Sequence, residues 1–184
     1  MPKQIAKLKA RFLSAVLLSL APVLIAAQRP PADASTTYTV VRHAEKATQA
    51  GADAVFDAKD PPLSAVGQTH AKALATALRG VALYAVYATP FKRTQSTAQP
   101  SARAHGLQVT TYPANLAIAE FVAQLNASAK PGAVLVVAHS NTVPEIVAAL
   151  CHCKAPSLSD ADFGDRFDVR VYADGKATLT HLRY

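Results

Sequence analysis

Short apolar runs alternate with longer segments of helical periodicity through most of this 184-residue chain. Residues Ala133 to Ala138, AVLVVA, are apolar at every position, which is typical of a strand buried on both faces of a sheet. Ser64 to Gly80 predicts a helix that begins after a serine N-cap and stops at a glycine. The same patterns predict strands at 36–41, 82–89 and 107–112, and helices at 93–105, 115–129 and 142–150.

This alternation predicts an α/β fold, a three-layer α/β/α sandwich whose sheet is mostly parallel. Residues 167–184 predict an antiparallel C-terminal hairpin that turns at Asp174-Gly175, whereas residues 44–63 show no period and are predicted to be irregular. The helical period also predicts two inner faces. They are Val66, Ala73, Leu74, Ala77 and Leu78 in the first helix, and Leu116, Ala119, Phe121, Val122 and Leu125 in the third.

The first 34 residues have the pattern of a secretory signal followed by a Pro-rich linker. Four basic residues precede the uncharged stretch Phe12 to Ala27, and small residues follow. The stretch is slightly short for a membrane span, so cleavage and retention as an anchor both stay open, with a buried helix as a third alternative. We expect residues 1–34 to be a signal peptide or membrane anchor plus linker, and residues 35–184 to form one domain. The protein is then exported, periplasmic or secreted, with membrane anchoring as the alternative.

The net charge of +7 belongs partly to this leader. Residues 35–184 contain 14 basic and 11 acidic residues, which leaves a net charge of +3. They contain no block of Lys and Arg and no interleaving of aromatic with basic residues, so we expect no nucleic acid partner. We expect membrane contact only through a retained leader. The mild excess of positive charge suits a small anionic ligand.

The two cysteines, Cys151 and Cys153, lie close together in ALCHCK. In an oxidising compartment they predict a local disulfide, with free thiols as the alternative. A structural zinc site needs about four ligands, and no second cluster supplies the others, so we expect no metal there.

Ionisable nitrogen groups follow three of the predicted strands. Arg42 and His43 follow the first strand, Arg93 lies near the start of the helix after the second, and His139 follows the apolar strand. Because ligands of open α/β sheets bind beyond the carboxyl ends of the strands, we expect these groups to share one rim. Each residue alone could be a cap, a core residue or a surface residue. Together they favour a phosphate site, since guanidinium groups match phosphate oxygens and an imidazole can attack phosphorus.

Four segments, in this order, resemble the phosphoglycerate mutase-like branch of the histidine phosphatase superfamily. VVRHAEK resembles its Arg-His-Gly loop, and DPPLSAVGQTHAKALATAL resembles the segment that opens its first helix. YATPFKRTQSTA resembles its Ser-Pro-x-x-Arg-x-x-x-Thr-Ala element, and VLVVAHSNTVPEIV its second-histidine motif. The resemblance runs from about Tyr38 to the C-terminus. With its leader, the chain is similar to the exported, single-domain members.

The resemblance implies a role for each of the four cationic or ionisable residues, and it implies no metal and no cofactor. His43 would be the nucleophile that becomes phosphorylated, Arg42 and Arg93 would clamp the phosphate, and His139 would contact the same phosphoryl group. The chain departs from the family pattern at Ala44, where glycine is usual, and at Ser140-Asn141, which replaces a common Gly-Gly.

The general acid of many relatives, a glutamate after the third strand, has no counterpart in TTYPANLAIAE, since Glu120 falls too far along the helix. Glu45 is the first candidate for this acid because it lies beside the nucleophile, and Glu145 is the second. The structural alternatives are an ion pair between Glu45 and Lys46, and a first-turn helix carboxylate in Glu145.

These observations predict a phosphatase that hydrolyses phosphomonoesters, or phosphohistidine, through a phosphohistidine intermediate on His43. Its partner would be a small phosphorylated substrate or a phosphoprotein. The absence of the usual acid keeps a catalytically weak phosphate-binding module of the same fold as the alternative. A phosphomutase is a third possibility, but it would need a pocket lid for which the domain has little chain to spare.

Overall fold

The computed structural model describes residues 34–48 and 56–184. The predicted leader and linker, residues 1–34, lie outside the described residues apart from Ala34, so the division at residue 34 stays a prediction. Six strands and four helices form the described part of the chain. They are β1 (Ser35–Arg42), α1 (Ala65–Ala77), β2 (Leu83–Ala88), α2 (Lys92–Ala104), β3 (Val109–Thr111), α3 (Ile118–Ala127), β4 (Gly132–Ala138), α4 (Thr142–Cys151), β5 (Asp165–Tyr172) and β6 (Ala177–Arg183).

One six-stranded sheet organises the molecule, with the strand order β3-β2-β4-β1-β5-β6. The pairs β1–β4, β2–β4 and β2–β3 are parallel, whereas β5 pairs antiparallel with β1 and with β6. Gly175, in the turn between β5 and β6, has a φ of 82°, which glycine adopts without strain. The prediction of a mostly parallel α/β sheet with an antiparallel C-terminal hairpin is therefore confirmed.

Alternate side chains of the central strands supply two cores, one on each face of the sheet. Val134 and Val136 of β4 belong to a cluster with residues of α3 and α4, whereas Leu135 and Val137 belong to a cluster with residues of α1 and α2. Full burial of a Val or Leu side chain is worth about 1.5–3 kcal/mol, so β4 anchors both layers. Its burial on both faces confirms what its unbroken apolar run predicted.

The predicted start of α1 is confirmed, but its predicted inner face is partly wrong. The Ser64 side chain accepts a hydrogen bond from the Gly67 N–H, as an N-cap does. The buried positions of α1 are Gly67, Ala71 and Leu74, while Val66 is 58% exposed. The inner face is shifted because Gly67 packs against the main chain of the loop after β1, which turns Val66 outward. Two other positions predicted to face inward are also exposed, Ala77 and Ala119.

Among the described residues, no helix has the length and apolarity needed to cross a bilayer. At the end of α4, Cys151 and Cys153 form a disulfide, which is the first of the two outcomes predicted for them. His152, between them, adopts the left-handed conformation at the helix C-cap.

Candidate active site

His43 is fixed where β1 leaves the sheet. Its N–H donates to the Ala138 carbonyl at 2.9 Å, at the end of β4, and the N–H of Ala44 donates to Thr97 Oγ1 at 2.9 Å. The ring Nδ1 lies 2.8 Å from the Ala44 carbonyl oxygen. A carbonyl oxygen only accepts, so Nδ1 carries the ring proton and Nε2 keeps its lone pair. Within residues 34–48 and 56–184, Nε2 has no hydrogen-bond partner and is not among the enclosed atoms, so it is open to the cleft.

The His43 imidazole is held in its neutral form. Burial, above all, lowers its pKa to about 3, because removing an ion from water disfavours the charged ring. The Ala44 carbonyl acts in the opposite direction, while His139, Arg93 and Arg42 lower the pKa further. At neutral pH His43 is therefore an uncharged base with a free lone pair, which is the form that a nucleophile requires.

His139 lies beside His43 at the point where β4 passes into α4. The two ring centroids are 5.4 Å apart, with the planes inclined at 67°. The main chain of His139 is fixed by the first turn of α4, since its N–H donates to Thr142 Oγ1 and its carbonyl accepts from the Val143 N–H. Burial, followed by Arg93 and Arg42, lowers the pKa of His139 to about 4. Its ring Nε2 lies 3.0 Å from Thr89 Oγ1.

Arg42 is held against the loop between α4 and β5. Its Nη1 donates to the carbonyl oxygens of Ser159 and Asp162, both at 3.0 Å, and its guanidinium lies 4.0 Å above the Phe163 ring. Its Nη2 is 3.6 Å from Asp160 Oδ1. The Arg42 side chain is only 8% exposed, so these contacts fix the direction of the remaining N–H groups.

Arg93 extends from the first turn of α2 to the other side of the cleft. Its guanidinium lies 4.3 Å above the Phe91 ring, and Nη1 is 3.9 Å from Asp60 Oδ1. The Asp60 carboxylate also accepts the Lys92 N–H at 2.8 Å, which secures the start of the helix. Burial lowers the pKa of both arginines, but a guanidinium stays charged throughout the physiological range.

The four side chains line one cleft of about 350 Å³, at the carboxyl ends of the parallel strands. Two fixed positive charges and two uncharged imidazoles therefore face the same space, which favours an anion. Among the residues that the structure describes, the lining consists of Arg42, His43, Lys46, Phe91, Arg93, Ala114, His139, Ser140, Asn141, Thr142 and Asp160.

The two candidate acids do not line this cleft. Glu45 pairs with Nδ1 of His70, on α1, at 2.8 Å, rather than with Lys46 as the structural alternative proposed. Glu145 lies exposed in the first turn of α4. The residue that follows β3 into the cleft is Ala114, which has no acid function. In the described part of the chain, the one carboxylate that lines the cleft belongs to Asp160.

Three residues that sequence reasoning did not single out contribute to the site. Thr97 links the loop after β1 to α2, because it accepts from the Ala44 N–H and donates to the Arg93 carbonyl at 2.7 Å. Thr89 Oγ1 contacts the ring Nε2 of His139. Both threonines stand inside the segment YATPFKRTQSTA, so their places in that motif were a signal for them. Asp160 had no such signal, because it lies in a loop without a sequence pattern.

In residues 34–48 and 56–184, no group of three or more His, Cys, Asp or Glu side chains could hold a metal ion. The arginines and imidazoles of the cleft favour an anion, and the carboxylate of Asp160 lies 3.2 Å from Ser140 Oγ and 3.6 Å from Nη2 of Arg42.

Fold and site together define an α/β protein with an anion-binding cleft built around a neutral histidine. Residues 38–114 match the family model described as histidine phosphatase superfamily (branch 1). The solved protein histidine phosphatase SixA, complexed with tungstate, has a TM-score of 0.62 and 23% identity, over 80% of this chain and 96% of that chain. The chain is therefore similar to the histidine phosphatase superfamily in residues 38–114 and shares the fold of the solved phosphatase.

Other solved structures share the fold. A mycobacterial glucosyl-3-phosphoglycerate phosphatase has a TM-score of 0.62 and 16% identity, over 82% of this chain and 98% of that chain. A mutant phosphoserine phosphatase from Entamoeba histolytica, in complex with phosphoserine, has a TM-score of 0.57 and 14% identity, over 79% and 95%. No curated protein sequence matches the chain.

Proposed function

We propose that the chain is a phosphatase that hydrolyses phosphomonoesters, or phosphohistidine, through a covalent intermediate on His43. One observation carries the proposal. The Nε2 lone pair of a neutral His43 opens on a cleft in which two guanidinium groups and a second imidazole converge. This arrangement combines a nucleophile with groups that stabilise the oxygens of a phosphoryl group.

The reaction has two steps. In the first, Nε2 of His43 attacks phosphorus, and the bond from phosphorus to the leaving oxygen breaks as the N–P bond forms. In the second, water attacks phosphorus, the N–P bond breaks, and inorganic phosphate leaves the regenerated imidazole. Arg42 and Arg93 offset the charge on the non-bridging oxygens, and a preorganised donor of this kind is commonly worth about 3 kcal/mol. Neither step requires a metal ion or a cofactor.

The leaving group determines how fast the first step can be. Glu45 pairs with His70, Glu145 is exposed, and neither lines the cleft, which supports a reaction that lacks a general acid from these residues. A missing general acid typically costs about 10²–10⁴ in rate on poor leaving groups. The favoured substrates are therefore small aryl phosphates, other activated phosphoesters, or the phosphohistidine of a phosphoprotein. Alkyl phosphates cleaved as fast as aryl phosphates would contradict this preference.

A catalytically weak phosphate-binding module of the same fold is the second candidate. The observation in its favour is that Asp160, the one carboxylate among the described residues of the cleft, has a side chain that is 96% exposed and paired with Ser140 Oγ and Arg42. Such a module would bind phosphate or vanadate in the cleft without forming a phosphoenzyme.

Turnover of an aryl phosphate separates the two candidates. We expect the purified protein to release phosphate and to form an acid-labile, base-stable phosphoenzyme, and we expect His43→Asn to lose both. The matched control is His152→Asn, at the opposite end of α4, which should retain both because asparagine also tolerates the left-handed conformation. Tight binding of vanadate by a protein that never turns over would support the module.

We also propose that the protein is exported, to the periplasm or the medium, and is membrane-anchored only if residues 1–34 are retained. The support is the order of basic, apolar and small residues in that segment. Fractionation of cells that express the full chain, together with the mass of the mature protein, tests this proposal. Recovery of the intact chain from the cytosol would overturn it.

A further inference from the structure

A chain of buried hydroxyl groups lies behind His139. Thr89 Oγ1 is 3.0 Å from Nε2 of His139 and 2.9 Å from Thr94 Oγ1. Thr94 Oγ1 in turn lies 2.8 Å from the Phe91 carbonyl oxygen and 2.9 Å from that of Thr89. Thr89 is 2% exposed and Thr94 is fully buried, so water cannot replace any of these partners.

Counting hydrogens decides the direction of every bond in this chain. Thr94 has one hydroxyl hydrogen and faces two carbonyl oxygens, which can only accept, so it donates to one of them. If it donated to Thr89 instead, its oxygen would face both carbonyls without a hydrogen, which is costly in a buried place. Thr94 Oγ1 is therefore the acceptor for Thr89. The Thr89 hydroxyl hydrogen is used in that bond, so Thr89 accepts from the Nε2–H of His139.

The proton of neutral His139 is thus on Nε2, on the side away from the cleft. The other ring nitrogen, Nδ1, then carries a lone pair. Within the described residues Nδ1 has no hydrogen-bond partner and is not enclosed, so it is the nitrogen that a ligand meets. A lone pair repels an oxygen of a fully ionised phosphate group, and the contact becomes favourable only when a proton lies between the two atoms.

We propose that Thr89 is a positioning residue that fixes this tautomer of His139, and that the cleft consequently accepts a phosphomonoester as its monoanion. This inference rests on the proposed phosphatase function. One oxygen of the bound phosphoryl group carries a proton, and this O–H group donates a hydrogen bond to Nδ1 of His139. The two arginines bind the unprotonated oxygens.

The charges around His139 disfavour a proton on its second ring nitrogen in the free protein, so the proton of this contact has to come from the substrate. The groups that face it are His43 and Arg42 at the end of β1, Arg93 on α2, and Lys46 and Asp160 at the mouth of the cleft. Burial and the two arginines lower the pKa of His139 to about 4, so the free protein does not supply an imidazolium at neutral pH.

The same proton balances the first step of the reaction. As Nε2 of His43 bonds to phosphorus and the bond to the leaving oxygen breaks, the proton of the monoanion leaves its hydrogen bond with Nδ1 of His139 and passes to the leaving oxygen, so that an alcohol or phenol departs. His43 keeps the Nδ1 proton that it donates to Ala44. Water then supplies the two protons of the released phosphate monoanion. The protons of this step therefore balance without an acid from the protein, although a leaving group that needs strong protonation still departs slowly.

Nitrogen-15 NMR tests the tautomer without reference to activity. In protein labelled at histidine, with His139→Gln used for assignment, we expect wild type and Thr89→Ser to show His139 as the Nε2–H tautomer at pH 7. Thr89→Val keeps the shape of the side chain but removes the hydroxyl, so a large part of His139 should carry its proton on Nδ1. A wild-type spectrum with the proton on Nδ1 overturns the proposal.

The pH dependence of kcat/KM tests the consequence, with O-phosphotyrosine as substrate. Its phosphate has a second pKa of about 6, so the wild-type value should fall about tenfold per pH unit above that pKa as the monoanion is lost. Thr89→Ser should follow wild type. Thr89→Val should decline at least one pH unit later, because an Nδ1–H can donate to the dianion.

The two readouts separate two kinds of failure. A wild type with no turnover removes the proposed phosphatase function, and the NMR spectrum still decides the tautomer. A wild-type kcat/KM that stays constant from pH 6 to 8, or a Thr89→Val profile equal to that of wild type, overturns the role of Thr89. If Thr89→Val does not fold, the tautomer of the wild type alone decides between the alternatives.

Discussion

Acidification should destabilise the fold through the two histidines of the cleft. In the unfolded chain a histidine has a pKa near 6.5, whereas in the fold His43 has a pKa of about 3 and His139 of about 4. Between these values the unfolded chain binds a proton that the native protein does not. The free energy of unfolding therefore falls as the pH drops through this window, while above pH 7 the two residues add no pH dependence.

The magnitude follows from the proton that each ring would bind in the unfolded chain. Relative to pH 8, each histidine costs about 2 kcal/mol of stability at pH 5, so the pair can cost about 4 kcal/mol. The contribution of His43 to this loss should be the larger one, because His43 is only 5% exposed, whereas His139 is partly open to solvent. A domain of this size has a total stability of about 5–15 kcal/mol, so the loss is easily measured.

Urea denaturation at pH 8 and at pH 5, in buffer without phosphate, measures this loss directly. The His43→Asn variant should lose about 2 kcal/mol less than wild type between the two pH values, because one of the two linked protons is gone. Contributions from carboxylates are shared by both proteins and cancel in the comparison. The exposed control His152→Asn should follow wild type. Equal pH dependence in wild type and His43→Asn would refute the lowered pKa and, with it, the neutral nucleophile.

Two substitutions test the packing that supports the loop after β1. A Cβ on Gly67 would overlap the carbonyl oxygen of Glu45, so Gly67→Ala should lower the free energy of unfolding by about 1–3 kcal/mol. The control is Gly80→Ala, because a Cβ there has no neighbouring atom within 4 Å. It should change the free energy of unfolding by less than about 0.5 kcal/mol. Equal values for the two alanine variants in thermal unfolding would contradict that reasoning. Thr97→Val removes the acceptor of the buried Ala44 N–H and should cost about 1–3 kcal/mol, while Thr97→Ser keeps the hydroxyl and should cost less. A valine variant as stable as the serine variant would show that this hydrogen bond does not hold the loop.

The sheet could be predicted because its information is local. The apolar run of β4 and the serine cap of α1 specify burial and helix start within a few residues, so tertiary contacts had little to change. The inner faces were predicted less well, because the rotation of a helix depends on one close contact. At Gly67 that contact is with a loop twenty-two positions earlier in the sequence, and it turns Val66 toward solvent.

The convergence of candidate residues could be predicted where those residues follow parallel strands. Arg42, His43 and His139 converge because parallel strands end at one edge, and this follows from topology alone. The positions of Glu45 and Asp160 do not follow from topology. The first is drawn to His70 by an ion pair, and the second arrives in an irregular loop whose path depends on Arg42 itself. Proximity in sequence to His43 therefore did not indicate which carboxylate lines the cleft.

The manner in which Arg42 is held has a consequence for how this protein can evolve. Its Nη1 hydrogens end on main-chain oxygens of Ser159 and Asp162, and such oxygens are present whatever side chains those two positions carry. Mutations along that segment can thus reshape the mouth of the cleft while the arginine stays in place. Substitutions in this loop could therefore change which substrate fits the cleft while Arg42 keeps the position from which it would contact phosphoryl oxygens.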